Sequence, residues 1–354
     1  MITNMKKSRT WYALLVIAVL AQSGCGSGDP SDSDAYEKHL AAAKSAELHR
    51  DFVQAEAELA ECLKIRKDDP EVHFLAARTA RRSGDLPKAE KHLEECERLK
   101  GDSAAISLEQ LLLRTQRGEI AVLGTKEVST LAKDLAKLIL DKHPETPLIL
   151  EAEGQGYEAA YRYLEALACW NALLKHEPKN TYALVKKARI LRDRDFSDSA
   201  VETYRKALEL NPDLFEARLG LAEIFLEEKR IPEAKENLDT LHQNHPKHAA
   251  VVLGLAQCDF DQGEPKKAEK RLVALLAAQP RNAGAWFLRG KIENNDPAKA
   301  EKWFRKALEI NPNDLVYDYS LWRCLNQMGK SEEARQVKTK YDKNREPCYA
   351  LPKP

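Results

Sequence analysis

Residues 204–212 read YRKALELNP, and residues 304–312 read FRKALEINP. The two stretches differ only at Tyr204/Phe304 and Leu210/Ile310, and each difference is between side chains of similar shape. Each stretch ends at a proline, which stops a helix because it drives the preceding residue out of the helical region. A near-copy 100 positions away predicts an internal repeat.

Two columns of residues give the period of this repeat. Prolines that end an apolar helical pattern recur at intervals of 34, and finally 32, positions: Pro144, Pro178, Pro212, Pro246, Pro280 and Pro312. An alanine stands 12 positions before each of these prolines, and the same column continues beyond them: Ala55, Ala89, Ala132, Ala166, Ala200, Ala234, Ala268, Ala300 and Ala334. Nine repeats result, and the third of them has nine extra residues within GEIAVLGTKEVST.

Each repeat contains two helices. Apolar or small residues recur four and seven positions after the column alanine, such as Trp170 and Leu173, and this spacing places them on one helix face. The alanine is expected where two helix backbones approach closely. An earlier helix precedes a turn that carries Gly84, Gly263 or Gly329 in three of the repeats. Because one hairpin cannot bury its apolar face alone, neighbouring hairpins must stack, and the predicted fold class is all-α.

These hairpins resemble tetratricopeptide repeats. Repeat four carries the family's small, aromatic and proline series as Gly154, Tyr157, Ala166, Trp170 and Pro178, and repeat eight carries Trp286, Gly290, Ala300, Phe304, Ala307 and Pro312. The resemblance implies a right-handed α-solenoid of about nine hairpins over residues 35–343, followed by a tail at 344–354. The repeats lie near residues 36–69, 70–103, 104–146, 147–180, 181–214, 215–248, 249–282, 283–314 and 315–343. The last second helix, SEEARQVKTKYDKN, carries Lys338 where others carry an apolar residue, so we expect a polar cap.

The first 24 residues predict a signal peptide. Lys6, Lys7 and Arg9 precede the apolar run WYALLVIAVLA at 11–21, which is far shorter than the roughly 20 residues needed to span a bilayer as a helix. The protein is therefore expected to work outside the cytoplasm.

The segment after this run, QSGCGSGDPSDSD, resembles the lipobox of bacterial lipoproteins, in which a cysteine after small residues is lipidated. The resemblance implies lipidation of Cys25 and a flexible linker over 25–34, with the protein anchored to a membrane of the cell envelope. Gln22 stands where the family usually has Leu. Ordinary cleavage near Ala21, giving a secreted or periplasmic protein, is the first alternative, and an uncleaved anchor or a cytosolic chain are the others.

Composition and motifs argue against several function classes. The 56 basic and 56 acidic side chains cancel, so no global positive field attracts nucleic acid. The chain has no GxSxG, HExxH or GxxxxGK[ST] motif and no zinc spacing, and we expect no cofactor, no metal and no enzymatic activity. His242, His245 and His248 lie over a helix end and a proline turn, where their rings need not converge on a metal.

The seven cysteines predict no disulfide framework. Cys62 and Cys96 occupy one slot of adjacent repeats, and the packed helices between them place their Cα atoms beyond the roughly 7 Å that a disulfide allows. We interpret both as small core residues.

The family resemblance implies a binding surface. Its first helices line a concave groove through positions five, nine and twelve of each repeat. In this sequence the matching positions give a predicted protein-binding groove: Phe74, Arg78, Arg81, Val185, Arg189, Arg192, Leu219, Glu223, Phe287, Lys291, Tyr319 and Arg323. The set of Lys, Asn and Arg with which some family members clamp a terminal carboxylate is absent. Packing of the apolar members between helices is the competing interpretation.

We therefore expect a non-catalytic scaffold or adaptor of the bacterial cell envelope that binds other proteins or peptides. An enzyme with an unrecognised site between repeats and a purely structural spacer are the alternatives.

Overall fold

The computed structural model describes residues 30–119, 134–139, 143 and 145–349. These ranges consist of helices joined by short turns, and no β-strand occurs within them. The predicted all-α class is confirmed. The chain divides into two compact units, the first ending at Asp134 and the second beginning at Leu135.

The first unit contains α1 Pro30–Leu48, α2 Phe52–Ile65, α3 Pro70–Ser83, α4 Leu86–Arg98 and α5 Ser103–Gln116. A helical segment, α6, covers residues 134–139. The second unit continues with α7 Thr146–Ala159, α8 Tyr163–His176, α9 Thr181–Asp193, α10 Ser197–Leu210, α11 Phe215–Glu227, α12 Ile231–Asn244, α13 Ala249–Asp261, α14 Pro265–Ala278, α15 Ala283–Ile292, α16 Pro297–Ile310, α17 Leu315–Gln327 and α18 Ser331–Tyr349. Odd-numbered helices are the first helices of their repeats, and the even-numbered ones are the second.

Two predicted boundaries are corrected. Helix α1 begins at Pro30, so residues 30–34, assigned to the linker by sequence, are helical. Proline in the first turn and Asp32 beside it both favour a helix N-terminus. Helix α18 ends at Tyr349, so residues 344–349 of the predicted tail continue it. The predicted signal peptide, Cys25 and nearly all of GEIAVLGTKEVST lie outside the described residues.

One left-handed residue turns the chain between the two helices of most repeats. It has a positive φ of 58° to 97° and stands at the same slot each time: Arg50, Gly84, Gly118, Tyr161, Asp195, Lys229, Gly263 and Gly329. Glycine adopts this conformation without steric cost, which explains the three turn glycines that the sequence singled out. Repeat eight is two residues shorter and turns instead through residues 293–296.

The prolines stop the second helices as predicted. Glu177, Asn211, His245, Gln279 and Asn311 each end a helix immediately before a proline, with φ between −122° and −141° and ψ between 58° and 96°. This extended conformation is the one that a following proline ring imposes. Four residues lie between each of α8, α10, α12 and α14 and the next first helix, and the same number separates α2 from α3.

The column alanines lie buried in the hairpins. Eight of the nine are described, and each is at most 2% exposed: Ala55, Ala89, Ala166, Ala200, Ala234, Ala268, Ala300 and Ala334. In seven of these eight repeats the residues four and seven positions later are buried as well, including Trp170 and Leu173 at 0%, whereas Lys338 and Tyr341 after Ala334 are not. The predicted core face is confirmed within the described residues.

Tyr204 and Phe304, the variable residues of the repeated nonapeptide, share this buried slot, at 2% and 3% exposed. Each ring packs on a glycine of a first helix. A Cβ placed on Gly220 would lie 2.7 Å from Tyr204 Cε2, and one on Gly290 would lie 2.6 Å from Phe304 Cδ1. Gly220 belongs to the repeat that follows that of Tyr204, whereas Gly290 belongs to the same repeat as Phe304. The residue four positions after the column alanine therefore contacts the first helix of its own repeat in one case and that of the next repeat in the other.

The last hairpin closes with a polar helix. On α18, Ala334 is buried, whereas Glu332, Glu333 and Arg335 are exposed. Its Lys340 donates from Nζ to Asp318 Oδ1 over 2.9 Å, and Asp318 is only 1% exposed. This pair compensates a buried carboxylate on α17.

We predict that Gly220→Ala lowers the free energy of unfolding by about 1–3 kcal/mol, because the added methyl group overlaps the Tyr204 ring. At a helix position without such a contact, changing Gly to Ala would instead raise the free energy of unfolding by up to about 1 kcal/mol. Urea unfolding followed by circular dichroism measures the difference. Tyr204→Leu should remove most of the penalty in the double variant; equal stability of Gly220→Ala and the native chain would contradict the close contact.

Candidate functional site

The predicted groove residues lie on the first helices. They occupy α3 (Phe74, Arg78, Arg81), α9 (Val185, Arg189, Arg192), α11 (Leu219, Glu223), α15 (Phe287, Lys291) and α17 (Tyr319, Arg323). Phe74, Val185, Leu219 and Phe287 are half-buried and pack against the hydrophobic clusters of their units, while Tyr319 is 42% exposed. Packing between helices therefore accounts for most of the apolar residues of the predicted groove. Tyr319 is the exposed one among them.

Most of the charged residues of the predicted groove form ion pairs within the protein. Arg78 Nε lies 3.4 Å from Glu47 Oε1. Arg189 pairs with Glu158, and Arg192 pairs with Glu223. In all three pairs a residue at position twelve of one repeat meets a residue at position nine of the next, 31 positions later. We call these three pairs the charge ladder.

Arg81, predicted to face a partner, is instead buried at 0% exposure. Its Nε donates to Glu109, its Nη1 donates to Gln116 Oε1 over 3.2 Å, and Gln116 Nε2 returns a bond of 2.9 Å to the Arg81 carbonyl. The residue 31 positions after Arg81 is Leu112, which offers no carboxylate, so Arg81 bonds to α5 at another point. Its role is structural, and its assignment to the groove is corrected.

The ladder stops in repeats seven to nine. Position twelve there holds Phe260 and Asn294 instead of a charge, and the residues that follow at position nine are Lys291 and Arg323. Lys291 Nζ donates to the neutral Gln257 Oε1 over 3.2 Å and lies 5.8 Å from the centre of the Phe260 ring. In the described part of the chain, neither Lys291 nor Arg323 forms an ion pair with a carboxylate within 4.0 Å.

A cavity of about 410 Å³ opens beside these two cations. We call it the groove pocket, and it is lined by Phe260, Phe287, Lys291, Asn294, Phe304, Val316, Tyr319, Ser320 and Arg323. Phe287 stacks on Tyr317 with ring centres 4.6 Å apart, and its ring centre lies 5.6 Å from that of Phe304. Val316 and Tyr319 stay 59% and 42% exposed. The volume is within the range of about 300–1,000 Å³ that is usual for ligand sites.

The electrostatics of the pocket are positive and partly desolvated. Burial is the main cause that lowers the pKa of Lys291 below its ordinary value; Asp261 opposes this effect, and Lys229 adds to it. Since burial penalises the charged amine, an anion that reached Lys291 would be favoured.

Four of the nine predicted polar and apolar groove positions in the second unit meet at this pocket: Phe287, Lys291, Tyr319 and Arg323. Sequence reasoning missed Phe260, Asn294, Val316 and Ser320. The available signal was the spacing of 31 positions between opposite charges, which is present at Glu158 and Arg189 and absent at Phe260 and Lys291.

The five described cysteines are buried, and two of the histidines pack against an aromatic ring. Burial raises the pKa of the thiols of Cys62, Cys96, Cys258 and Cys324, and burial beside Glu153 raises that of Cys169 to about 12. These five cysteines are free, so the described residues contain no disulfide. Their neutral thiols are poor nucleophiles. The rings of His245 and His248 pack edge-on against Phe215, at 4.9 and 4.5 Å.

No metal-binding group of three or more His, Cys, Asp or Glu side chains occurs among the described residues. Likewise, the described helices include none that is both long and apolar enough to span a bilayer.

Comparison with known families gives one consistent result. Three models of the tetratricopeptide repeat match residues 151–213, 197–244 with 225–292, and 283–314. The chain is 28% identical over 182 residues to human protein O-mannosyl-transferase TMTC3, a match that covers 50% of this chain and 20% of that protein. The mouse protein of the same name is 27% identical over 154 residues, covering 42% and 17%. The matched region thus spans about a fifth of the length of these relatives.

Solved structures resemble the chain at the level of fold. The APC/C hetero-tetramer Cut9–Hcn1 has a TM-score of 0.59 at 15% identity, covering 88% of this chain and 60% of that one. The human IFIT1 dimer with PPP-AAAA has a TM-score of 0.50 at 20% identity, covering 77% and 67%. A tetratricopeptide repeat protein from Parabacteroides merdae has a TM-score of 0.46 at 20% identity, covering 82% and 99%.

We predict that Arg81→Ala destabilises the protein by about 3–5 kcal/mol, because it leaves the buried Glu109 carboxylate without its counter-ion. Lys44→Ala breaks an exposed pair with Glu71 and should cost at most about 1 kcal/mol. Urea unfolding of both variants tests the structural role. A stable Arg81→Ala protein with altered partner binding would instead restore Arg81 to the groove.

Proposed function

The chain is a tetratricopeptide repeat protein, and from that premise we propose that it is a non-catalytic scaffold or adaptor of the bacterial cell envelope, which binds other proteins through its first-helix face. Stacked helical hairpins present long surfaces to partners, and such surfaces are the usual working part of solenoid proteins. The observation that carries the proposal is the groove pocket, where Lys291 and Arg323 lack carboxylate partners within the described chain.

The contrast with the charge ladder supports this location. A partner that approached Arg78, Arg189 or Arg192 would first have to displace an acidic side chain of the protein itself. At the groove pocket no carboxylate of the described residues lies within 4.0 Å of Lys291 or Arg323, and aromatic surface is exposed beside the charges. Apolar surface rimmed by charge is typical of an interaction site.

The envelope location is proposed on sequence alone. The basic residues before the apolar run at 11–21 support export, and the small residues before Cys25 support lipidation there. A chain tethered at Cys25 would present its hairpins close to a membrane surface. Soluble export remains the competing form of the proposal because Gln22 departs from the lipobox pattern.

Site-directed photo-crosslinking tests the binding surface. The full chain would carry p-benzoylphenylalanine in place of Tyr319 at the groove pocket or, as a control, in place of Glu202, whose side chain is 69% exposed on α10. In cells of the source bacterium, irradiation should give a discrete protein adduct from position 319 and not from position 202. The adduct should disappear when Lys291→Glu and Arg323→Glu are added, because a partner group attracted by these two cations would then be repelled. Identical adducts from both positions would refute a specific surface.

Labelling with a radioactive fatty acid tests the anchor. The native chain should incorporate the label and sediment with membranes, and globomycin should cause its precursor to accumulate. Cys25→Ala should lose the label and the membrane association, because the lipid attachment atom is removed. A Cys25→Ala chain that stays membrane-bound would contradict the lipoprotein proposal and leave the protein-binding proposal intact.

A further inference from the structure

Two histidines face each other across the hairpin of α3 and α4. His73 Nδ1 and His92 Nδ1 lie 3.1 Å apart, and the centres of the two rings are separated by 5.3 Å. Both side chains are partly exposed, so ions in solution can reach them. The pair belongs to the first unit and shares no residue with the groove pocket.

The hairpin brings these two positions together in other repeats as well. The residues 34 positions earlier are His39 and Glu58, and His39 Nδ1 lies 2.7 Å from Glu58 Oε2. In repeat eight, allowing for its shortened turn, the matching residues are Trp286 and Trp303, which stack with ring centres 5.2 Å apart. Three described repeats thus make a direct contact at these positions, and repeat two makes it with two imidazoles.

The hydrogen bonds of His73 decide which of its ring nitrogens is free to bind an ion. His73 Nε2 lies 3.1 Å from the carbonyl oxygen of Lys67, which can only accept a hydrogen bond. In the neutral ring Nε2 therefore carries the hydrogen, and the lone pair lies on Nδ1, on the side of His92. Histidines that bind metals usually donate such a bond from their other nitrogen, because it fixes the orientation of the ring.

The separation of the two Nδ1 atoms suits a shared metal ion. With metal–nitrogen bonds of about 2.0–2.1 Å, nitrogens 3.1 Å apart subtend an angle of about 95–102° at the ion. This angle lies between those of octahedral and tetrahedral coordination. The ion would lie about 1.3–1.4 Å off the line between the nitrogens, and rotation about Cβ–Cγ, a broad torsion in histidine, turns both lone pairs toward it.

The surroundings keep His92 neutral, as a metal ligand must be. Burial lowers the pKa of His92 below its ordinary value; His73 and Lys88 add to this effect, and Glu56 and Glu95 oppose it. Since the ordinary value for histidine is about 6.5, the ring is predominantly uncharged at pH 7.

We propose that His73 and His92 form a two-histidine site for a divalent late transition-metal ion, with water in the remaining positions. Both Nδ1 atoms bind the ion. The hydrogen that His92 Nδ1 donates in the metal-free pair moves through solvent to Nε2 of the same ring, so no net proton is released. Imidazole suits copper, nickel and zinc, and among these Cu²⁺ is bound most tightly. This inference is independent of the proposed function, and it departs from the expectation, drawn from sequence motifs, that the chain binds no metal.

Copper binding by the full chain tests the site. The protein is purified in detergent, its accessible thiols are blocked with N-ethylmaleimide, and Cu²⁺ is added alone. Electron paramagnetic resonance should show hyperfine coupling to two imidazole nitrogens, and competition with a chromophoric chelator gives Kd. His73→Asn or His92→Asn should remove one nitrogen and raise Kd about a hundredfold or more, because the loss of an outer-shell partner alone costs about 10–100-fold.

A conservative variant separates coordination from packing. His92→Glu recreates the His39–Glu58 pair of the preceding repeat, so the hairpin should stay folded while the Cu²⁺ spectrum retains one nitrogen. The matched control is His39→Asn, which should leave Kd and the number of nitrogens unchanged. Urea unfolding with Zn²⁺, which has no redox chemistry, gives a second readout: the ion should raise the midpoint of the native chain and not that of His73→Asn.

Two results would overturn the inference. Unchanged Cu²⁺ affinity and an unchanged number of nitrogens in His73→Asn and His92→Asn would assign the bound ion to other residues. Lower stability of these variants in urea without any loss of Cu²⁺ binding would leave the pair as a hydrogen bond only. Neither result bears on the photo-crosslinking at position 319, so this inference and the proposed function can fail separately.

Discussion

The structure depends on one buried alanine at the same position of the second helix in eight of the nine repeats. Since the eight described column alanines are almost completely buried, a larger side chain at this point would separate the helices. The bulky residue four positions later packs against a glycine of a first helix, that of the next repeat for Tyr204 and that of its own repeat for Phe304. The nonapeptides resemble each other because they meet the same packing requirement.

A constant register also decides which surface charges meet. When consecutive hairpins stack with the same offset, position twelve of one repeat lies beside position nine of the next, and residues 31 positions apart become neighbours. Glu158 and Arg189 are such a pair, and so are Arg192 and Glu223. Partly exposed ion pairs add little to stability, about 0–1 kcal/mol each. Their larger effect is to leave most of the first-helix face electrically neutral.

The sequence predicted the fold well because its signals are local and repeated. Alanine burial, proline stops and turn glycines each follow from steric rules that act within a few residues. Helix ends were less predictable: residues 30–34 and 344–349 are helical although their composition suggested a linker and a tail. For the candidate site, the sequence predicted only which repeat positions lie on the first helices, and not which of their side chains are exposed. Whether Arg81 faces outward depends on the partner that α5 offers it, and this is a property of the three-dimensional packing.

The shortened turn of repeat eight explains why the pocket lies where it does. In repeat five, position twelve is Arg192 within helix α9, and it reaches forward to Glu223. In repeat eight, α15 ends at Ile292, so Asn294 at position twelve lies in the turn that follows and only 29 positions separate it from Arg323. The local backbone therefore departs from the register that pairs charges elsewhere. In repeat seven the helix is intact, but Phe260 at position twelve supplies a ring and no carboxylate. One departure in length and one in residue type thus leave two cations of adjacent repeats beside exposed aromatic surface.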